Sequence, residues 1–233
     1  MPSSTLSGQT AKLRYVVHII ESPHDVELLD GRQDREPLRH VLKQAGIDAR
    51  EYVAVNAKCF GQALITIAKT HEPGTQPIIH VSAHGDKTGI ELTSGECLTW
   101  TNLRGVFNML NTALDSGLLL GMSVCEGLHA LKMVANSTDA PFHTLVGPTM
   151  SIDWRDSLVA FVAIYHLVIT RNLEPQAAEA AMNAAAGLAP QTFRVVTSAQ
   201  ARKFHEKRMM AEAQKLFAEA AKLLVNQQQN VPK

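Results

Sequence analysis

A chain of 233 residues, 45% apolar and 19% charged, has the size and balance of a folded globular protein with one large core. Lys plus Arg and Asp plus Glu number 22 each, so no net field draws the chain to nucleic acid or to an anionic membrane. Three widely spaced cysteines, Cys59, Cys97 and Cys125, suit neither a disulfide framework nor a Cys-rich zinc site, and they fit a reducing, cytoplasmic compartment.

Residues 1–12 are small and polar, without the basic-then-apolar order of a secretory signal, and are expected to form a flexible tail. The continuous β-branched run from Tyr15 to Ile20 reads as a strand buried on both faces. Glu36 to Ala45 reads as a helix stopped at Gly46, Tyr52 to Val55 as a second strand, and Phe60 to Thr70 as a second helix. Pro77 to Ala83 is the third strand, with Pro77 at its start, where a missing N–H is tolerated. Gly89 to Thr93 and Cys97 to Trp100 flank Ser94-Gly95-Glu96 as a hairpin, and Thr101 is the expected cap of a helix running to about Leu114.

Gly117 to Val124 is a fourth strand, Gly127 to Val134 a helix, and Thr144 to Val146 a fifth strand. From Asp153 to Ile169 the apolar positions Leu158, Phe161, Val162, Tyr165, Val168 and Ile169 follow helical spacing. The longest apolar run in that helix is about a dozen residues, short of the roughly 20 that a membrane span needs. Ala177 to Ala186 reads as helix and Phe193 to Val196 as a last strand. A long amphipathic helix, Ala199 to Val225, carries Met210, Ala213, Phe217, Ala220 and Leu224 on one stripe. Alternating strands and helices without a Pro/Gly/Ser-rich linker imply one α/β domain over 13–233. Its sheet is mainly parallel, with helices on both faces.

In such sheets functional groups gather beyond the carboxyl ends of the strands. Two strand ends carry reactive side chains: Ser82-Ala83-His84-Gly85-Asp86 and Ser123-Val124-Cys125-Glu126-Gly127. A free thiol has a pKa of about 8.5 and needs a base to react near neutrality, which an imidazole supplies. The oxyanion formed by its attack on a carbonyl needs preorganised donors. The backbone N–H groups of Gly85 and Cys125 are the candidates, Gly85 because it lacks a Cβ and Cys125 because it precedes an expected helix. On residue type alone Cys125 is also readable as a small buried hydrophobe, and His84 as a structural histidine. His80 and His84 share a strand face, but no carboxylate or thiol set completes a zinc site with them. Cys59 and Cys97 are read as inert, Asp34 and Asp86 as turn residues, and Glu126 as a solvated acid at a helix start. A third function class, nucleotide binding, lacks both glycine-rich phosphate-loop patterns.

An apolar strand ending in His84-Gly85, followed some forty residues later by an apolar strand ending in Cys125, resembles the caspase-like (clan CD) cysteine peptidases. That group includes caspases, metacaspases, separases and bacterial CHAT domains. Val146-Gly147-Pro148, leading through an acidic turn into Asp156 to Tyr165, is similar to a later part of the same pattern. The resemblance covers roughly 14–197. It implies a three-layer α/β/α fold and hydrolysis of a protein or peptide substrate, with His84 as acid/base, Cys125 as nucleophile and no metal or cofactor in the chemistry. It also implies a substrate pocket at Ser123, with Asp153 and Asp156 favouring a basic P1 residue. Arg32 lies where caspases help bind an acidic P1. Relatives of this kind often act as defence or cell-death effectors under a separate sensor protein. The alternative the resemblance allows is a catalytically silent module that serves in assembly.

Overall fold

The computed structural model describes residues 14–115, 117–135, 140–207, 209–212 and 214. Its elements run β1 (Arg14–Ser22), α1 (Asp25–Asp30), α2 (Arg35–Gln44), β2 (Asp48–Val53), α3 (Ala57–Lys69), β3 (Thr75–Gly85), β4 (Gly89–Glu91), β5 (Cys97–Thr99), α4 (Trp100–Ala113) and β6 (Leu119–Ser123). A 3₁₀ helix (Gly127–Val134), β7 (Thr144–Pro148), α5 (Trp154–Tyr165) with a π-helical end (His166–Thr170), α6 (Pro175–Ala185) and β8 (Phe193–Thr197) follow. Residues 198–207 are helical.

The main sheet has the order β2-β1-β3-β6-β7-β8, parallel except for β8, which runs antiparallel to β7. The β4–β5 hairpin branches from the end of β3, with Gly95 in its turn at φ 81°. Because β3 and β6 lie in the sheet interior, their side chains are buried on both faces, and the period of two sorts them. Val17, Ile19, Ile78 and Leu119 pack under α2, α5 and α6; Ile20, Ile79, Val81, Leu120 and Met122 pack under α3, α4 and the 3₁₀ helix. The result is a three-layer α/β/α sandwich.

Several expectations shift. The second strand is Asp48–Val53 rather than Tyr52 to Val55, because an edge strand exposes one side and its polar stretch Asp48-Ala49-Arg50-Glu51 hides the strand signal. Thr99, not Thr101, caps α4: its hydroxyl accepts from Asn102 N–H, and the Asn102 side chain accepts from Thr99 N–H. The helix after Cys125 is 3₁₀, and the long helix that Asp153 caps changes from α to π at His166. Of the expected C-terminal stripe, Met210 is exposed, and Ala213, Phe217, Ala220 and Leu224 lie outside the described residues, as does the tail. Among the described residues no helix is long and apolar enough to cross a membrane.

Candidate active site

One face of the three central strands changes character from one end to the other. Reading every second residue toward the carboxyl ends gives Ile78, His80, Ser82, His84 on β3, and Leu119, Gly121, Ser123, Cys125 along and just past β6. On β1 the same face reads Val17, Ile19, Glu21. Ser82 and Ser123 are paired in register, so His84 and Cys125 each stand two residues beyond a matched pair on neighbouring strands about 4.8 Å apart. The fold thus brings both residues to one rim, and both line one cavity there.

His84 is held from two sides. Its Nε2 lies 2.9 Å from Glu27 Oε1, and the ring of His24 sits 4.2 Å from its own, tilted by 57°. Glu27 Oε2 accepts the N–H of His24 at 2.8 Å. Beyond His84, Asp86 N–H donates to Gly89 O at 3.1 Å, closing the turn into β4. Antiparallel ladders alternate, so this bond turns the Gly85 N–H away from β4, and the β3–β6 ladder has already ended at Ser82 and Ser123. A Cβ at residue 85 would overlap Val124 Cγ1 and come 2.6 Å from Gly89 O, so only glycine fits.

Cys125 sits in a tight turn, with Gly127 N–H donating to Val124 O at 2.9 Å and Glu126 at φ 57°. Glu126, not Cys125, is the N-cap of the 3₁₀ helix. The Cys125 amide therefore lies one residue upstream of the cap and two upstream of the helix start, and the turn rather than a helix dipole aims it. Its thiol donates to Ile152 O at 3.8 Å rather than to His84.

The cavity floor is acidic. Asp34 is the N-cap of α2, but its carboxylate leaves the cap unbonded. Oδ2 accepts from Ser82 Oγ at 2.8 Å and from Ser123 Oγ at 3.1 Å, and Ser123 Oγ is 2.7 Å from Ser157 Oγ. Asp34 Oδ1 is buried with no partner among the described residues, in a residue only 5% exposed. Burial pushes the Asp34 carboxyl above the usual carboxylate range, against the pull of the two serines. Glu21, equally buried, accepts from the N–H groups of Asp34 and Arg35 and holds the start of α2; burial raises its carboxyl as well.

Ser123 and Arg32 also line this cavity, Arg32 with its guanidinium on Asp30 at 2.7 Å. Asp153 and Asp156 do not line it. Asp153 caps α5, accepting Arg155 N–H at 2.9 Å and the Arg155 guanidinium at 3.1 Å, while Asp156 is an acid of the first turn of α5. Asp34, read as a turn residue, is instead the buried acid of the cavity. Glu21, Glu27 and Asp34 were missed because they lie on β1 and the segment after it, outside the His-Gly and Cys motifs. The signal that could have found Glu21 is a lone acid ending an apolar strand. His80 is not free for a metal: it is buried, with Nδ1 3.0 Å from Tyr165 Oη, and burial drives its pKa down to about 3.

No family model matches the sequence, and no curated protein does. Among solved structures the chain is similar to the Drosophila initiator caspase Dronc, at TM-score 0.55 and 12% identity over 82% of this chain and 85% of that one. It is also similar to drICE, at TM-score 0.53 and 15% identity over 80% and 88%. At such identity the likeness is one of fold, and it agrees with the mainly parallel sheet and its two helical layers: the chain has a caspase-like fold.

Proposed function

We propose that this chain is a cysteine endopeptidase that cleaves after a basic residue, with Cys125 as nucleophile and His84 as general acid/base. The observation that carries this reading is a single cavity with His84 and Cys125 at its rim and the unpartnered carboxylate oxygen of Asp34 at its floor. A buried acid with an unsatisfied oxygen is stabilised by a cationic ligand, and an arginine or lysine side chain is the one a peptide supplies. Asp34 therefore takes the role in P1 recognition that the sequence assigned to Asp153 and Asp156.

In the reaction, His84 takes the Cys125 proton and sulfur attacks the scissile carbonyl carbon. The oxyanion is met by the N–H groups of Gly85 and Cys125. His84 returns the proton to the departing amine as the C–N bond breaks, leaving a thioester on Cys125. Water, deprotonated by His84, then attacks the thioester, releases the acid and restores the thiol.

The turn of the Cys125 thiol toward Ile152 supports a resting state in which the pair is apart, with a separate regulatory protein as its switch. The same observation favours the second reading, a catalytically silent module used in assembly.

Peptidyl acyloxymethyl ketones with Arg, Lys, Asp or Leu at P1, read by intact mass, test the proposal. One adduct from the Arg or Lys probe, lost in Cys125→Ala and His84→Ala and weakened in Asp34→Asn, is the expected result. Preferential labelling by the Asp probe would overturn the basic P1. An unlabelled, folded wild type would favour the silent module.

A further inference from the structure

We propose that Glu27 is the third member of this site, a positioning residue that fixes the tautomer of His84 so that Nδ1 is the nitrogen that handles protons. The inference rests on the peptidase reading for its kinetic consequence and on geometry for the rest. An ionised carboxylate only accepts hydrogen bonds, so the 2.9 Å contact of Glu27 Oε1 with His84 Nε2 places a proton on Nε2. The lone pair is then on Nδ1, free for the thiol of Cys125 and afterwards for the leaving amine.

The contact is more than a chance surface pairing. Glu27 is the N3 residue of α1 and completes a capping box with His24, whose N–H holds Oε2 at 2.8 Å. That cap needs one carboxylate oxygen. The other is thereby pinned in direction and aimed at a residue 57 positions away on β3. Glu27 is largely covered, its side chain 20% exposed, which strengthens the pair relative to one in open solvent. On its other flank the His84 ring meets His24, itself 3.8 Å from Glu91 of β4, so rotation about its side-chain bonds is limited on both sides. A fixed carboxylate beside Nε2 also stabilises the imidazolium that forms when the thiol proton moves, without itself taking a proton.

Glu27→Gln keeps an oxygen for the cap and removes the charge; Glu27→Asp keeps the charge on a shorter arm; Glu27→Ala removes both. Turnover of a peptide amide with Arg at P1 is measured for each, with the thermal midpoint as the check on folding and ¹⁵N NMR of the His84 imidazole as the direct readout. The expected results are Nε2 protonated and Nδ1 bare in neutral wild-type His84, and kcat lower by about 10²-fold in Glu27→Gln with KM within about twofold and the midpoint unchanged. Partial recovery in Glu27→Asp is also expected. Nδ1 protonation in wild type, kcat of Glu27→Gln within twofold of wild type, or faster turnover in Glu27→Ala (the mark of a latch that restrains His84) would overturn the proposal. If wild type shows no Cys125-dependent turnover or labelling, the peptidase reading fails; the tautomer, and its loss in Glu27→Gln, still decides whether Glu27 positions His84.

Discussion

Two polar clusters share one face of β3 and β6, under one helix. The deeper is His80 against Tyr165, roofed by Phe161, with Gly121 opposite: a ring Nδ1 3.0 Å from a hydroxyl, both residues buried and closed off. The shallower, one strand period further along, is Asp34 with Ser82, Ser123 and Ser157. Tyr165, Phe161 and Ser157 are spaced four apart on α5, so the same helix face covers both. The first is made of groups that burial keeps neutral, His80 pushed down to about 3 and Tyr165 raised well above its usual range. The second contains a carboxylate with an unsatisfied oxygen and opens onto the rim with His84 and Cys125. A buried polar group that is neutral and closed off belongs to the architecture, as His80 does although its Nε2 has no partner among the described residues. One that is ionisable, partly unpaired and reachable costs stability and is suited to hold a ligand.

Substitutions can break that distinction. The largest effect is expected at the rim: Cys125→Ala abolishes turnover of an Arg-P1 peptide by at least about 10³-fold with little change in thermal midpoint. A variant that unfolds would place Cys125 with the architecture instead. Asp34→Asn keeps acceptors for both serines but removes the charge. The specificity constant for Arg-P1 over Leu-P1 substrates should fall by about 10²-fold, a loss of about 3 kcal/mol of recognition. The same variant separates the clusters by pH. The Asp34 carboxyl is raised in the folded protein, so ionising it costs stability: the cost is absent below its unfolded value and complete once pH exceeds the raised folded value. Asp34→Asn should therefore be more stable than wild type at pH 7, by a margin that shrinks toward pH 4 in urea titrations. Binding of an Arg-P1 inhibitor to wild type should strengthen over the same rise in pH. A pH-independent margin would show that the Asp34 carboxyl ionises as readily in the fold as in the unfolded chain, against the raised value.

The deeper cluster predicts the reverse balance. Tyr165→Phe leaves His80 without a partner on either nitrogen and should cost about 1–3 kcal/mol in urea unfolding, with rim chemistry intact. The smallest effect is expected at Glu126→Gly, beside Cys125. Relief of a left-handed residue is worth up to about 1 kcal/mol, offset by the freedom glycine gains when unfolded, and should leave the midpoint within a few degrees of wild type. A large loss of turnover there with stability unchanged would show that the side chain of Glu126, 3.6 Å from Lys87, acts at the rim.

The strands of the sheet interior were legible because burial on both faces forces continuous apolar runs such as Val16-Val17-His18-Ile19-Ile20 and Ile78-Ile79-His80-Val81. The edge strand β2 was displaced in the reading because one exposed side tolerates Arg50 and Glu51. His84, Gly85 and Cys125 could be picked out because each stands at a strand end, where local pattern announces position. The cap of α4 is Thr99 rather than Thr101, and its local mark is Asn102 three residues on, which completes the box.

The sequence by itself determined which residues form the interior strands, the alternation that assigns their faces, and the His-Gly and Cys endings at the carboxyl ends of two of them. These follow from backbone periodicity and side-chain polarity, which are properties of neighbours along the chain. Only the tertiary structure decided that Asp34 is the acid of the cavity, that Asp153 and Asp156 turn aside to α5, and that Glu27 reaches His84. The parallel order β1-β3-β6 sets three strand ends side by side, and the segment after β1 folds over them. Which acid lands in the cavity depends on that crossing of distant segments, and no local pattern in the chain encodes it.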